Sequence, residues 1–181
     1  MNRFNIHYKK IISYDLISKF NYKNSYQIPS IDEISINLSS LKLTLDKRQI
    51  IPFLVAIELI SGQGGTLTIS KKNRIHLKVK QGMVMGCKVT LNKKNSYNFL
   101  ENLIIFILPN LKEFKGFSIN KKTPTILSFK IEDILNFFEL NNEFLNFSNI
   151  PPINITIKIN SKKIDESKIL LNSFNFPLKK N

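Results

Sequence analysis

Residues 153–160 read Ile-Asn-Ile-Thr-Ile-Lys-Ile-Asn, with an apolar side chain at every second position. Successive side chains of a β-strand point to opposite faces of a sheet, so this alternation predicts a strand with one buried and one polar face. A short helix is predicted after it, from Asp165 to Phe174. The C-terminal part of the chain therefore pairs a half-buried strand with a helix.

The rest of the chain shows both periodicities. Alternation predicts further strands at Ile28–Leu38, Thr66–Ser70, Ile75–Val79, Cys87–Leu91 and Thr125–Ile131. Helical spacing predicts helices over residues 3–20, from an Asp46 N-cap to about Ile60 with Ser61-Gly62 as its stop, and from a Ser96 cap to about Leu108, ended by Pro109. Helices and strands mix without a regular β-α-β rhythm. This order predicts an α+β, two-layer sandwich in a single domain, residues 1–181, with a largely antiparallel sheet and helices packed on one face.

The charge of the chain points to a polyanionic partner. Lysine and arginine number 27 against 13 acidic residues, which gives a formal net charge of +14 over 181 residues. A membrane surface is the weaker alternative, because the sequence has no apolar run of about 18 residues and its lysines do not cluster beside an amphipathic segment. Nucleic acid is therefore the favoured partner, and no membrane contact is expected.

Codon bias is visible in the composition. Nearly half of the residues are Ile, Lys, Asn or Phe, all of which have AT-rich codons, whereas alanine occurs once, at Ala56. Such a bias is typical of an organelle or a reduced bacterial genome. The N-terminus runs from Met1 directly into helix-like sequence, so no removable leader is expected.

Residues with chemistry of their own are sparse. A single Cys87 excludes an intramolecular disulfide or a thiolate metal cluster, and its neighbours predict a buried strand position. His7 and His76 are far apart in sequence, and His76 fits the surface of a strand or loop better than a metal site. No nucleophile with a base and no carboxylate pair is apparent, so neither an enzyme nor a cofactor is expected.

Short blocks in a fixed order carry a family resemblance that runs from about residue 2 to residue 180. The blocks are Phe20-Asn21-Tyr22-Lys23-Asn24, Gln27-Ile28-Pro29, Ile36-Asn37, Leu59-Ile60-Ser61-Gly62-Gln63, Gln81-Gly82-Met83, Gly86-Cys87-Lys88-Val89-Thr90-Leu91, Tyr97-Asn98-Phe99-Leu100, Leu108-Pro109, Phe114-Lys115-Gly116-Phe117-Ser118 and Phe174-Asn175-Phe176-Pro177. Together they resemble universal large-subunit ribosomal protein five, the family that binds 5S rRNA in the central protuberance of the large subunit.

The resemblance implies a set of RNA-contacting residues. It places Asn37, Gln63 and the motif of Lys88 and Thr90 against 5S rRNA, since short amides and hydroxyls can donate to and accept from RNA. The alternatives are structural: Asn37 capping a turn, Gln63 closing a helix end and Thr90 acting only as a strand residue.

Two further groups follow from the same resemblance. Lys71, Lys72 and Arg74 match the loop that reaches toward the P-site tRNA, where their charge would engage phosphates, although a charge run can also be a solvated turn. A polar connector supplies weaker candidates for contact with the large rRNA, and these are Tyr22, Asn24 and Gln27. Neighbouring central-protuberance proteins are the remaining implied partners.

The sequence departs from the family in one long segment and at one helix start. About residues 119–150 the glycine-rich pattern usual in the family is missing. Ile164 stands where the family often has a capping Thr, which leaves Asp165 as the expected cap.

Several readings of function remain open at this point. The first is a structural protein of the large subunit that binds 5S rRNA, or its organellar equivalent, and large rRNA. The alternatives are a scaffold on large rRNA alone, in a ribosome without a standard 5S rRNA, and an RNA-binding module outside the ribosome. The AT bias and the divergence favour a mitochondrion, with a plastid or an AT-rich bacterium as alternatives.

Overall fold

The computed structural model describes residues 3–44, 47–111, 116–117, 123, 125–143, 147 and 150–179. In this part of the chain the fold is α+β with a five-stranded antiparallel sheet, as predicted. The strands are β1 (Ser30–Ser39), β2 (Thr66–Ile69), β3 (Val84–Asn92), β4 (Ile126–Ile131) and β5 (Ile153–Asn160). Their order in the sheet is β2-β3-β1-β5-β4, so β2 and β4 are its edges.

The helices follow the predicted apolar stripes. They are α1 (Arg3–His7), α2 (Ser13–Lys19), α3 (Ile50–Ser61), α4 (Lys94–Asn102), α5 (Leu108–Asn110) and α6 (Ile164–Ser173). Two π-helical turns, Tyr8–Ile12 and Leu103–Ile107, continue α1 into α2 and α4 into α5. Short 3₁₀ segments lie at Ser25–Gln27, Leu41–Thr44, Lys47–Gln49, Ile75–Leu77, Ile134–Asn136 and Phe138–Glu143. The predicted cap Asp46 lies outside the described residues, as do Phe114, Lys115 and Ser118 of the sequence blocks.

The chain divides into two compact units. The first unit comprises residues 1–34, 91–129 and 156–181, and the second comprises residues 35–90 and 130–155. The expectation of a single domain over residues 1–181 therefore stays a prediction.

Aromatic side chains fill the core of the first unit. The ring of Phe174 stacks on Phe4 at 5.4 Å between centroids and lies 6.0 Å from Tyr97. A second group joins Phe117, Phe129 and Phe176. The C-terminal block that ends in Phe176-Pro177 thus stabilises the fold through two packed and buried phenylalanines, Phe174 and Phe176.

Aliphatic packing holds the second unit. Ile57 of α3 is fully buried. Gly65 packs against it closely, because a side-chain carbon added at Gly65 would lie 3.1 Å from a methyl group of Ile57 and 3.8 Å from one of Val89. Gly86 of β3 lies so close to β1 that an added carbon would meet the carbonyl oxygen of Leu38 at 2.0 Å. Glycine is required at position 86 because any larger residue would collide with the neighbouring backbone.

Each long strand has one buried and one open face. Buried positions alternate along β1 at Ile34, Ile36 and Leu38, along β3 at Cys87, Val89 and Leu91, and along β5 at Ile153, Ile155, Ile157 and Ile159. The residues between them are exposed or half-buried and mostly polar. The sheet therefore offers an open face lined by hydroxyl, amide and ammonium groups.

The strand predicted at Ile75–Val79 is wrong. These residues belong to the connection between β2 and β3, where Ile75–Leu77 form a 3₁₀ turn and Lys78 takes a left-handed conformation with φ of 53°. An isolated bridge pairs Arg74 with Val79 and closes the turn on itself. Val79 is buried, but Ile75 and Leu77 are exposed, so alternation without a neighbouring strand was not sufficient to form a strand.

Three predicted helix boundaries are also wrong. Helix α4 begins at Lys94, and the Ser96 hydroxyl donates to the carbonyl of Lys93 at 2.7 Å from inside the helix. Pro109 lies within α5. Helix α6 begins at Ile164 after Lys163, and Glu166, not Asp165, accepts from the backbone N–H groups of Lys162 and Lys163. Capping depends on local backbone geometry, which residue type alone does not decide.

Candidate nucleic-acid interface

Three predicted RNA-contacting residues share the open face of adjacent strands in the second unit. Asn37 lies on β1, and Lys88 and Thr90 lie on β3, each between buried neighbours that point the other way. Lys88 is exposed, whereas Asn37 and Thr90 are half-buried. On the edge strand β2, Thr66 stands opposite Lys88 and its hydroxyl donates to the Lys88 carbonyl at 3.0 Å. These residues form a polar surface that carries the exposed ammonium group of Lys88.

Asn37 has an unsatisfied polar atom. Its Oδ1 is buried and has no hydrogen-bond partner among the described residues. An unpaired buried acceptor of this kind costs about 1–3 kcal/mol. Its placement does not fit the turn-capping alternative, because Asn37 lies inside β1 rather than at a turn.

Gln63 follows the end of helix α3 and precedes β2. The helix stops at Gly62, which adopts φ of 64° and donates its N–H to the Glu58 carbonyl at 2.8 Å. The Ser61 hydroxyl accepts from the N–H of Gln63 at 3.2 Å and donates to the Ile57 carbonyl at 2.6 Å. Backbone and hydroxyl groups therefore terminate the helix, and the exposed side chain of Gln63 is left outside that network.

The basic loop, residues 70–83, connects β2 to β3 in the second unit. Its backbone is held by short bonds: the N–H of Gln81 donates to Asn73 Oδ1 at 2.6 Å, and the Ser70 hydroxyl donates to the Lys72 carbonyl at 2.8 Å. Arg74 and Val79 exchange two backbone bonds of 2.8 and 3.1 Å. The loop borders an open cavity of about 350 Å³, lined by Ser70, Lys71, Lys72, Arg74, Leu77, Val79 and, from β3, Met85.

The predicted basic residues of this loop are all exposed. Lys71, Lys72 and Arg74 project from it, and none forms an ion pair within the described part of the chain. The sequence analysis missed Lys78 and Lys80. The wrong strand prediction, Ile75–Val79, had placed Lys78 inside a strand and Lys80 directly after it. They are exposed in the same loop, and residues 71–80 contain no acidic residue. The signal present in the sequence was this acid-free run of five basic residues.

The connector of the first unit, residues 20–27, forms one wall of a cavity. Tyr22 and Gln27 line a cavity of about 310 Å³, whose other lining residues are Phe20, Asn21, Lys162, Lys163 and Glu166. Asn24 is exposed and is not part of this lining. Two of the three predicted connector residues are thus brought together with residues that are distant in sequence.

The Tyr22 hydroxyl is buried in this cavity wall. It has no hydrogen-bond partner among the described residues. Burial, the nearby Glu166 carboxylate and Tyr8 together raise the pKa of Tyr22 to about 12. The hydroxyl is therefore protonated at neutral pH and able to donate a hydrogen bond.

Metal-ligand clusters and membrane-spanning helices were both sought among the described residues. These residues contain no group of three or more His, Cys, Asp or Glu side chains that could hold a metal ion. Within the same residues, no helix is both long and apolar enough to span a bilayer.

Comparison with known proteins identifies the family. The family model for the C-terminus of the ribosomal L5 family matches residues 84–178. The chain belongs to this ribosomal protein family, as the ordered sequence blocks predicted.

Two relatives match over nearly their whole length. The chain is similar to the large ribosomal subunit protein uL5m of Reclinomonas americana, with 39% identity over 183 residues, 99% of this chain and 100% of that protein. It is also similar to the large ribosomal subunit protein uL5 of Blochmanniella floridana, with 34% identity over 176 residues, 97% of this chain and 92% of that protein. Both alignments therefore extend across the divergent segment, about residues 119–150.

Proposed function

We propose that this protein is a structural, non-catalytic constituent of the large ribosomal subunit, where it binds 5S rRNA and large-subunit rRNA. The observation that carries the proposal is the full-length similarity to two proteins named as large ribosomal subunit proteins. The basic charge supports it, because RNA is the polyanion that such a subunit provides.

The open face in the second unit supports a contact with structured RNA. RNA helices present 2′-hydroxyls and phosphates across a shallow surface, which short polar side chains can reach. Asn37 and Thr90 provide an amide and a hydroxyl, and Lys88 provides an exposed charge next to them. We assign the 5S rRNA contact to this face together with Gln63.

The basic loop supports a second contact, with a phosphate backbone. Its five exposed cations lack acidic neighbours in sequence, and its backbone is held by internal hydrogen bonds. Phosphate contacts of this kind position a protein without reading sequence. We assign this loop to the P-site tRNA, and the connector residues Tyr22, Asn24 and Gln27 to large-subunit rRNA.

We place the protein in mitochondria. The AT-rich composition and the similarity to a uL5m support this location. The alternative is the cytoplasm of a bacterium, because the chain is also similar to a bacterial uL5. Immunofluorescence of the source cells with a mitochondrial marker distinguishes the two locations.

Sedimentation of cell extracts tests the ribosomal assignment. The protein should remain with large subunits through a wash at high salt, since a built-in constituent makes many contacts that release slowly. Protein found only in the free fraction, with large subunits intact, contradicts the assignment and leaves an RNA-binding module outside the ribosome.

Crosslinking with RNA sequencing of purified large subunits tests the partner. Crosslinks from Asn37, Gln63 and Thr90 to a 5S-like RNA are expected. Crosslinks to the large rRNA alone would contradict the 5S assignment and favour a scaffold on large rRNA.

The double variant Asn37→Ala, Gln63→Ala tests the open face in solution. It should bind 5S rRNA more weakly than the wild type while its thermal midpoint does not fall, because neither side chain makes a hydrogen bond within the described residues and Asn37→Ala removes an unpaired buried acceptor. The matched control is Asn98→Ala, Asn172→Ala, which removes two exposed amides of the first unit. Equal loss of affinity in both double variants, or no loss in either, contradicts the assigned residues.

A further inference from the structure

The cavity beside the connector has two aromatic walls. Phe20 and Tyr22 are half-buried, and their ring centroids lie 6.0 Å apart with an angle of 49° between the planes. Both residues line the cavity and neither is fully buried, so part of each side chain remains accessible to a ligand. Unpaired bases of RNA commonly stack on aromatic side chains of this kind.

Two lysines supply positive charge at the same cavity. Lys162 and Lys163 are exposed and form no ion pair among the described residues. The acidic lining residue, Glu166, is buried, and its Oε2 accepts from the backbone N–H groups of both lysines at 3.1 and 3.4 Å. The carboxylate therefore caps helix α6, while the two ammonium groups can approach a phosphate.

Polar groups complete the lining. Gln27 lines the cavity, and its Oε1 accepts from the N–H of Lys23 at 3.2 Å, so its NH₂ group is not used in that bond. Asn21 is an exposed amide of the same lining. The Tyr22 hydroxyl is buried and lacks a hydrogen-bond partner in the described part of the chain, so it is the ring of Tyr22 that is offered to a ligand.

We propose that this cavity holds one unpaired nucleotide of ribosomal RNA, with its base against Phe20 and Tyr22 and its phosphate beside Lys162 and Lys163. This site rests on the proposed function. It narrows the general contact between the connector and large-subunit rRNA to the binding of a single nucleotide. The volume, about 310 Å³, is at the small end of the roughly 300–1,000 Å³ typical of small-ligand sites. It suits one nucleotide and is too small for a duplex.

A tryptophan reporter tests the location of binding. The chain has no tryptophan, so Tyr22→Trp introduces a single reporter into the cavity wall. Titration with single-stranded RNA pentanucleotides should quench its fluorescence in a saturable way, because a stacked base contacts the indole. The control is Phe106→Trp, at an exposed position of the first unit outside this lining, whose fluorescence should change little.

Competing probes test the chemistry of the ligand. A blunt duplex of the same length should quench the reporter weakly, since its bases are not free to stack. Inorganic phosphate should not quench it. Phosphate that displaces the pentanucleotide completely at millimolar concentration would mean an anion site without base recognition, and this outcome overturns the proposal.

Side-chain variants test each wall separately. Phe20→Leu should weaken pentanucleotide binding at least about fivefold, the lower limit for loss of one base–aromatic stack. Lys162→Gln, Lys163→Gln should reduce the slope of log affinity against log salt by about 0.7 for each phosphate that is no longer neutralised. The matched control Lys9→Gln, Lys168→Gln removes the same charge from exposed positions outside the cavity, and its slope should fall less.

The outcomes separate this site from the proposed function. If Tyr22→Trp fails to fold by circular dichroism, Phe20→Trp replaces it as the reporter. Folded reporters that show no quenching, or quenching equal to that of Phe106→Trp, overturn the nucleotide site. Loss of the nucleotide site does not contradict the proposed function if the wild type still sediments with large subunits. The proposed function is contradicted only if the wild type does not sediment with them.

Discussion

Two stretches of this chain carry the same alternation of apolar and polar residues, yet only one is a strand. Ile155 and Ile157 of β5 are 0% exposed, whereas Ile75 of the basic loop is 89% exposed and Leu77 is 42% exposed. Strand β5 has a hydrogen-bonded neighbour on each side, β1 and β4. The loop residues are closed on themselves by the bridge of Arg74 and Val79.

The difference teaches what alternation can and cannot decide. It decides which side chains share a face, but burial needs neighbouring strands and a layer that covers that face. Burying a side chain such as Ile75 would contribute about 1.5–3 kcal/mol, and the loop forgoes this contribution. The same conformation keeps five basic side chains exposed, in accord with the phosphate contacts proposed for it.

The largest effect is expected from shortening a buried isoleucine of β5. Ile157→Ala should lower the free energy of unfolding by about 2–5 kcal/mol, because it leaves a cavity in a closely packed core. Ile75→Ala in the basic loop should change it by less than about 0.5 kcal/mol. Denaturant unfolding followed by circular dichroism measures both, and equal losses would break the comparison.

A second pair of variants tests the close approach of β3 to β1. Gly86→Ala should destabilise the protein by at least about 1–3 kcal/mol, since the new carbon collides with the Leu38 carbonyl and the backbone must move. Gly64→Ala is the matched control, with nothing within 4 Å of the added carbon and no left-handed backbone. It should be neutral or slightly stabilising. A Gly86→Ala protein as stable as the control would contradict the described packing of these strands.

The basic loop should affect RNA binding while it hardly affects stability. Lys71→Gln, Lys72→Gln, Arg74→Gln should reduce the slope of log affinity for tRNA against log salt by about 0.7–0.9 for each phosphate that the variant no longer neutralises. The thermal midpoint should be nearly unchanged because these side chains are exposed and form no ion pairs among the described residues.

Filter binding over a series of salt concentrations measures that slope. The triple variant Lys9→Gln, Lys10→Gln, Lys168→Gln is a control with the same loss of net charge in the first unit. An equal change of slope in the control would mean that tRNA responds to total charge and not to the loop.

Sequence predicted the elements whose evidence lies in periodicity. Strand β5 has the predicted bounds, Ile153–Asn160, because its apolar face is buried along its whole length. Helix α3 ends at Gly62 as predicted, since a left-handed residue is needed there. Helix starts were less predictable: Asp165 and Ser96 are good caps by residue type, but the backbone enters each helix earlier.

The candidate sites divide in the same way. Asn37, Lys88 and Thr90 were predicted from the family resemblance, and alternation accounts for their common face, because each lies between two buried residues of its strand. The cavity beside the connector does not, because Lys162 and Lys163 are more than 130 residues from Tyr22 in sequence and meet it only in the fold. A site formed by distant segments has no period from which it can be predicted.

Positions 87 and 75 differ widely in burial and should differ in the reactivity of a thiol placed there. Cys87 on β3 is fully buried, and burial raises the pKa of its thiol from 9.0 to about 12. The folded wild type, with its single cysteine, should therefore react with a thiol reagent far more slowly than the unfolded chain at pH 8. The Ile75→Cys variant should gain one rapidly labelled thiol, because that position is exposed.

The pH dependence of stability follows from the same thiol. Since the folded state holds the Cys87 proton more tightly than the unfolded chain does, this group leaves the free energy of unfolding unchanged below about pH 9 and lowers it as the pH rises from 9 toward 12. Cys87→Ala should remove that part of the alkaline loss, as measured by denaturant unfolding at a series of pH values. Rapid labelling of folded wild type at pH 8 would show that β3 opens to solvent, and the strand would then resemble the loop with which it is compared.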